Sequence, residues 1–323
     1  MQRIGILTSG GDAPGMNAAV RAATRAAIAQ GWEVLGVQNG YSGLLGDRMR
    51  LLSARDVGGI IQRGGTVLGS ARCPEIRDPK GHAKALRVLA RRKIDALVVI
   101  GGNGSQTGAA SLGVGGFPVV GVASTIDNDL VGTDMSIGVD TAVNITLEAI
   151  DRLRTTGSSH QRAFLVETMG RNCGHIALMA GIAGGAEVIA VPEREITPDE
   201  AAARLRAAYQ RGKTHALIVV AEGAQHGAEA MMEHFRAHED TLGFEVRRTT
   251  LGHVVRGGIP TAIDRVLATR LGSAAIDQLA QGVQGVLVGI KGNEVAATPL
   301  AEVAGRTRPI DQGLLDLARV LAQ

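Results

Sequence analysis

The sequence predicts an α/β fold with mainly parallel sheets, and three observations lead there. Short apolar, β-branched runs alternate along the chain with stretches of helical period, the pattern of strands joined by crossover helices. The strand candidates are apolar at successive positions, so both faces are covered, as they are in a parallel sheet with helices on either side. Glycine is frequent, 45 of 323 residues, and much of it falls just after apolar runs, where backbone turns tightly or approaches a ligand. A chain of 323 residues exceeds what one core usually organises, which predicts two lobes.

In chain order, a strand at 3–7 (RIGIL) leads through glycines into an amphipathic helix over 16–29. The run EVLGV predicts a strand at 33–37, and a helix over 81–92 precedes the fully apolar strand 96–100 (ALVVI). A strand at 119–122 (VVGV) is followed by a helical stretch over 140–153 that runs into TTGSSHQR. No low-complexity linker interrupts the chain, so the lobe boundary is expected near 138–160. Strands at 163–167, 188–191 and 216–221, with a helix over 198–211 before the last of these, continue the alternation, and VLVGI predicts a further strand at 286–290.

Composition excludes several classes. Apolar residues at 45% and charged residues at 20% read as a soluble globular chain. Aromatics at 2% leave almost no stacking platform for single-stranded nucleic acid. The formal charge of +3 is dispersed, which signals no nucleic-acid partner and leaves room for local arginine clusters that meet phosphates. Cys73 and Cys173 have no metal-type spacing and make no disulfide framework. MQRIGILTSGG lacks a signal-peptide pattern, and no apolar run reaches ~18 residues. A cytoplasmic protein without a membrane partner is the expectation.

Three loops follow strand candidates, and in open α/β sheets ligands bind at strand ends. In TSGGDAPGMNAAVRAATR, residues 8–25, the Gly10–Gly11 turn opens a helix whose N–H groups favour an anion; an ordinary strand–helix turn would look the same. IGGNGSQTG, residues 100–108, is shaped like a phosphate cradle but carries Asn103 where a metal–phosphate site would more naturally put a carboxylate. STIDNDL, residues 124–130, spaces Asp127 and Asp129 so that in an extended segment both face one way. One acid would then accept a hydroxyl proton and the other help hold Mg²⁺; turn or capping chemistry is the alternative. Further on, Arg162, Arg171, Glu222, Arg247, Arg248, His253 and Arg256 gather beside apolar strands. Singly they read as surface or structural residues, together as the lining for an anionic substrate.

GGDAPGMNAA, RGGTVLGSAR, GGNGS, TIDND, MGR and LGHVVRGG occur in an order and spacing that resembles the bacterial ATP-dependent 6-phosphofructokinases, from Met1 to the C-terminal helix. The resemblance implies two Rossmann-like lobes, an active site in the inter-lobe cleft, and a homotetramer. It implies a nucleotide-binding lobe over 1–138 and 256–305 and a fructose-6-phosphate-binding lobe over 139–255 and 306–323. The implied reaction moves the γ-phosphoryl of MgATP to the 1-hydroxyl of fructose 6-phosphate, a step of glycolysis. On the matching positions, Asp127 is the base, with Thr125 beside it; Asp129 is a carboxylate for the metal, and Arg171 meets charge on the moving phosphoryl. Gly11, Arg72, Cys73, Gly102, Asn103, Gly104 and Ser105 match the nucleotide site. Met169, Gly170, Glu222, Arg247, His253 and Arg256 match the sugar-phosphate site, joined by Arg162 from a neighbouring subunit.

Departures from the family pattern refine these expectations. Asn103 replaces the usual Asp that positions the magnesium, which suggests an altered metal shell. It also leaves open a pyrophosphate-dependent enzyme, or a weakly active or non-catalytic regulatory subunit that binds sugar phosphate. Pyrophosphate users tend to carry Asp at 104 and Lys at 124, where this chain has Gly104 and Ser124. Arg21, Arg25, Arg154, Gly185, Glu187, Arg211 and Lys213 match the site for ADP or phosphoenolpyruvate between subunits. Ala54, Gly59 and Thr214 stand where Arg, Asp and Lys are common, which implies weakened effector control.

Overall fold

The computed structural model describes residues 1–160 and 162–321. Gln161 of the HQR motif and the last two positions of the 306–323 segment lie outside the described residues. The chain forms two compact units, Met1–Thr141 with Arg256–Arg308, and Ala142–Val255 with Pro309–Gln323.

The first unit is built on a seven-stranded sheet in the order β11-β10-β5-β4-β1-β2-β3. Its strands are β1 (Arg3–Ser9), β2 (Glu33–Val37), β3 (Met49–Leu52), β4 (Ala96–Gly101), β5 (Val119–Ala123), β10 (Val286–Lys291) and β11 (Glu294–Pro299). The five central strands pair in parallel, and only the edge strands β3 and β11 run antiparallel to their neighbours. All six residues of β4 are buried, which is why its apolar run shows no alternation: both faces lie under helices. Each of its larger side chains contributes about 1.5–3 kcal/mol by burial. Helices α1 (Met16–Ala29), α2 (Gly40–Leu45), α3 (Pro79–Arg91), α4 (Asn103–Val114), α10 (Ala262–Ala280) and α11 (Leu300–Val303) belong to this unit. Helix α5 (Val139–His160) begins in it. There the buried Asp264 accepts from the N–H groups of Gly138 and Thr141 and from the Thr141 hydroxyl, at 2.8, 2.8 and 2.5 Å, so the start of α5 is tied to α10.

The second unit has a four-stranded, all-parallel sheet in the order β7-β8-β6-β9. Its strands are β6 (Arg162–Thr168), β7 (Val188–Ala190), β8 (Ala216–Ala221) and β9 (Glu245–Thr250). Alternate residues feed two cores. Leu165, Ile218 and Val220 pack with helices α7 (Pro198–Gln210) and α8 (Ala228–Ala237). Val166, Leu217 and Val219 pack with α6 (His175–Ala183) and, from the chain end, Leu315 and Ala318 of α12 (Gln312–Leu321). A short turn of helix, α9 (Glu239–Leu242), precedes β9.

The three strands that the apolar pattern does not announce, β3, β9 and β11, are all at sheet edges and mostly half-exposed or exposed. A strand with one open face and one open edge needs few apolar residues, so its sequence carries little signal.

Candidate active site

At the carboxyl end of β4 the chain turns into α4 through Gly101 and Gly102. A Cβ on Gly101 would lie 2.5 Å from the Ser9 carbonyl oxygen and 2.6 Å from Ser105 Oγ, so only glycine lets this turn press against β1. Beneath it, the buried Gln106 amide donates to the carbonyls of Gly101 and Val122, at 2.9 and 3.2 Å, and so fixes the loop to β4 and β5. Tyr41, fully enclosed, donates its hydroxyl to Ser105 O at 2.7 Å. Helix α4 has no side-chain N-cap; the Ser105 N–H turns back to Gly102 O at 2.9 Å, and the N–H groups of Asn103 and Gly104 at the helix start suit an anion. Asn103 Oδ1 and Ser105 Oγ are buried and without a hydrogen-bond partner among the described residues. Orphaned buried acceptors carry a desolvation cost unless a ligand satisfies them.

The acidic loop arrives beside this cradle from β5. Asp127 and Asp129 both line the cavity, but not by extended alternation as the spacing suggests. Asn128 between them has φ +53, and a left-handed turn brings the two carboxylates to one side. The backbone N–H of Asp127 donates to Thr125 Oγ1 at 3.2 Å. Burial, and then the charge of Asp127, push the Asp129 carboxyl up to about 6. Asn103 Nδ2 lies 3.4 Å from Asp129 O, which leaves the amide oxygen as the free end.

The folded-state value for Asp129 exceeds that of an unfolded carboxylate. In magnesium-free protein its contribution to stability is therefore fully present below about pH 4 and is lost as pH rises through about 6. Thermal unfolding of wild type and Asp129→Asn across this range is expected to show the wild type losing ground to the variant as pH rises. A constant offset would contradict this.

The cavity encloses about 420 Å³, within the first unit. Gly11, Arg72, Cys73, Gly102, Asn103, Gly104 and Ser105, all expected on the nucleotide side, line it together with Thr125, Asp127 and Asp129. Arg256, matched to the sugar phosphate, also lines it: its Nη1 donates to Asp12 O at 3.1 Å and covers Gly11. Ser124, read from the sequence as a donor-selecting position, also lines the cavity, as do Tyr41 and Arg77, which were not among the sequence candidates. Arg77 Nη2 donates to Gly104 O at 3.2 Å. The buried Ser124 hydroxyl lies 3.4 Å from Ile137 O, so it is directed into the loop rather than at a ligand.

Asn103 Oδ1 and the Asp129 carboxylate are the groups that would hold a metal. No cluster of three or more His, Cys, Asp or Glu suited to a metal occurs among the described residues. One amide oxygen and one carboxylate are hard donors, which suit a cation such as magnesium that completes its shell with phosphate oxygens and water.

In the second unit, Met169 and Gly170 (φ +142) follow the end of β6 at Thr168, while Arg171, Glu222 and His253 are exposed. Arg162 and Arg247 converge on one carboxylate. Arg162 Nε lies 2.7 Å from Glu245 Oε2, and Arg247 pairs with Glu245 Oε1. The Arg162 hydrogen bond first, and the charges of both arginines after burial, hold the Glu245 carboxyl below its usual range. Glu245 was invisible in the sequence because its role comes from the β6–β9 pairing, Arg162 opposite Glu245. Of the effector candidates, Arg154 Nη1 donates to Gly184 O at 3.0 Å, next to Gly185. Buried Glu187 is held by Lys213 Nζ at 2.8 Å and by the Leu217 N–H at 2.6 Å. Arg211 is exposed, and Arg21 and Arg25 lie on α1 of the first unit.

The sequence model of the family described as Phosphofructokinase matches residues 3–279. The chain is 53% identical to ATP-dependent 6-phosphofructokinase 1 of Thermus thermophilus, with all of both chains covered. It is 49% identical to ATP-dependent 6-phosphofructokinase of Clostridioides difficile, again over all of both. Among solved structures it is similar to phosphofructokinase from Saccharomyces cerevisiae, with a TM-score of 0.85 and 39% identity over 94% of this chain and 45% of that one.

Proposed function

The chain belongs to the phosphofructokinase family, and on that premise we propose that it transfers the γ-phosphoryl of ATP to the 1-hydroxyl of fructose 6-phosphate. The observation that carries this reading is one cavity holding both a helix-N-terminal cradle with two orphaned oxygens and a pair of carboxylates. The cradle receives phosphate oxygens through the first N–H groups of α4. Asp127 takes the proton of the attacking hydroxyl, and Thr125 Oγ1, bonded to its N–H, holds the loop at that point. Arg72 and Arg256 on the cavity wall set positive charge beside the phosphates, where phosphoryl transfer needs it. Magnesium, held by Asn103 and Asp129, would neutralise charge on the β- and γ-phosphates when bound. Arg162, Arg247 and His253 are assigned to the sugar phosphate, and Arg171 to the moving phosphoryl.

The donor reading rests on two positions. A Cβ at Gly104 would lie 3.0 Å from Arg77 Nη2, so glycine leaves the cradle mouth open and lets Arg77 reach Gly104 O at its rim. Ser124 is neutral and turned toward Ile137, so no cation is added where pyrophosphate users carry Lys. The expected result of a coupled assay with fructose 6-phosphate is turnover with ATP and none above background with pyrophosphate. Equal turnover with both donors would overturn the assignment.

Effector control is proposed to be weak. Glu187 is already committed to Lys213 and the Leu217 N–H, and Ala54 and Thr214 supply no cations. Charged hydrogen bonds of roughly 1.5–3 kcal/mol each are thereby lost to an anionic effector. Titration with phosphoenolpyruvate is expected to leave activity nearly unchanged; strong sigmoidal inhibition at micromolar effector would contradict this. A homotetramer is proposed as well. Ile259, Ile263 and Val266 form an exposed apolar stripe entering α10, of the kind that self-association covers. A cytoplasmic location is proposed with it; no helix among the described residues is long and apolar enough to cross a membrane.

A further inference from the structure

Between the two carboxylates, Asn128 is 8% exposed and sits at φ +53, a conformation that asparagine tolerates better than most side chains. Its side chain bonds across the loop at both ends of the amide. Oδ1 accepts from the N–H and the hydroxyl of Ser136, at 3.1 and 3.2 Å, and Nδ2 donates to Asp134 O at 3.2 Å. Ser136 is fully buried. Residues 133–136 are in turn fixed to β10, because Asp134 N–H donates to Ile290 O at 2.6 Å and Ile290 N–H to Thr133 Oγ1 at 3.0 Å. Arg308 closes the frame: its guanidinium donates to Asp134 O at 2.6 Å and its backbone N–H to Asp129 O at 2.8 Å.

We propose that Asn128 is a positioning residue for phosphoryl transfer, turning Asp127 and Asp129 into one cavity by its left-handed backbone and locking that turn to the sheet through its amide. The proposal rests on the kinase reading above. These Asn128 bonds run to the loop's own residues, Ser136 and Asp134, so its role is exerted through the two acids. Its loss leaves both acids in the chain but lets their carboxylates drift from the reacting atoms, while the cradle of Gly101–Ser105 keeps its own anchors in Gln106 and Tyr41.

The test is steady-state kinetics and thermal unfolding of wild type, Asn128→Ala and Asn128→Gly with MgATP and fructose 6-phosphate. Alanine removes these bonds and disfavours the left-handed turn; glycine removes the bonds and keeps the turn accessible. The expected kcat falls about 100-fold for Asn128→Ala and about 10-fold for Asn128→Gly, the scale of a misplaced catalytic group. KM for fructose 6-phosphate is expected to stay within about threefold, since the groups assigned to the sugar phosphate are untouched. Wild-type kcat in folded Asn128→Ala, or a loss of activity that only follows the unfolding temperature, would overturn the proposal. If alanine prevents folding, the glycine variant decides by the same criteria. A wild type inactive with MgATP would instead overturn the kinase reading, which separates the two failures.

Discussion

Asp127→Asn is expected to abolish measurable turnover while the protein still folds and still binds nucleotide. Asp127 lines the cavity beside the cradle, and its N–H is held by Thr125 Oγ1. The substitution keeps the shape and removes the proton acceptor. General-base removal typically costs roughly 10²–10⁴-fold in rate. The same change takes away the negative charge that helps push Asp129 up, so the Asp129 carboxyl should return toward its ordinary range. Turnover within about tenfold of wild type would remove Asp127 from the role of base.

Asn103→Asp is expected to raise kcat and tighten apparent magnesium affinity. Asn103 Oδ1 is buried and unpartnered among the described residues, so a carboxylate oxygen there would face the cation. Two unit charges ~4 Å apart interact by about 4 kcal/mol at an effective dielectric near 20. Contact through water reduces this, and Asp127, Asp129 and the triphosphate repel the added charge. A net gain of about 1–3 kcal/mol in the transition state corresponds to about five- to a hundredfold in rate. Without magnesium the variant should be less stable than wild type, because a third carboxylate joins two that already interact. Rates measured against magnesium concentration decide; an unchanged or lower rate would mean that position 103 does not limit the site.

Much of the fold was legible because buried parallel strands write themselves as apolar runs. EVLGV and ALIVVA are strands over the residues expected, 33–37 and 216–221, and the glycine loop at 100–108 does open a helix at a strand end. The exposed edge strands β3, β9 and β11 were not legible, since half their surface is open, whereas the edge strand β7 is buried and its apolar run could be read. At the site, the identity of the two acids could be read, but not how they converge. Spacing alone suggests an extended segment, and the left-handed residue that makes the turn depends on Ser136, Asp134 and Arg308, up to 180 positions away. Gln106, Tyr41 and Arg77 escaped notice for a related reason. Each is an ordinary residue type whose role appears only once β4, α2 and the 3₁₀ turn Pro74–Arg77 are brought together. Arg256 illustrates the reverse: its motif was conspicuous, yet its guanidinium lies against Gly11 and Asp12 on the cradle side.

The central claim is that a cradle carrying Asn103 in place of an acid still performs phosphoryl transfer. It is tested most directly by incubating the wild-type protein with fructose 6-phosphate, ATP and magnesium and following the products by ³¹P NMR. The expected products are ADP and a fructose bisphosphate newly phosphorylated at the 1-hydroxyl, formed in step. ATP that binds but yields no bisphosphate, at any magnesium concentration, would contradict it and make the chain a sugar-phosphate-binding subunit without its own chemistry.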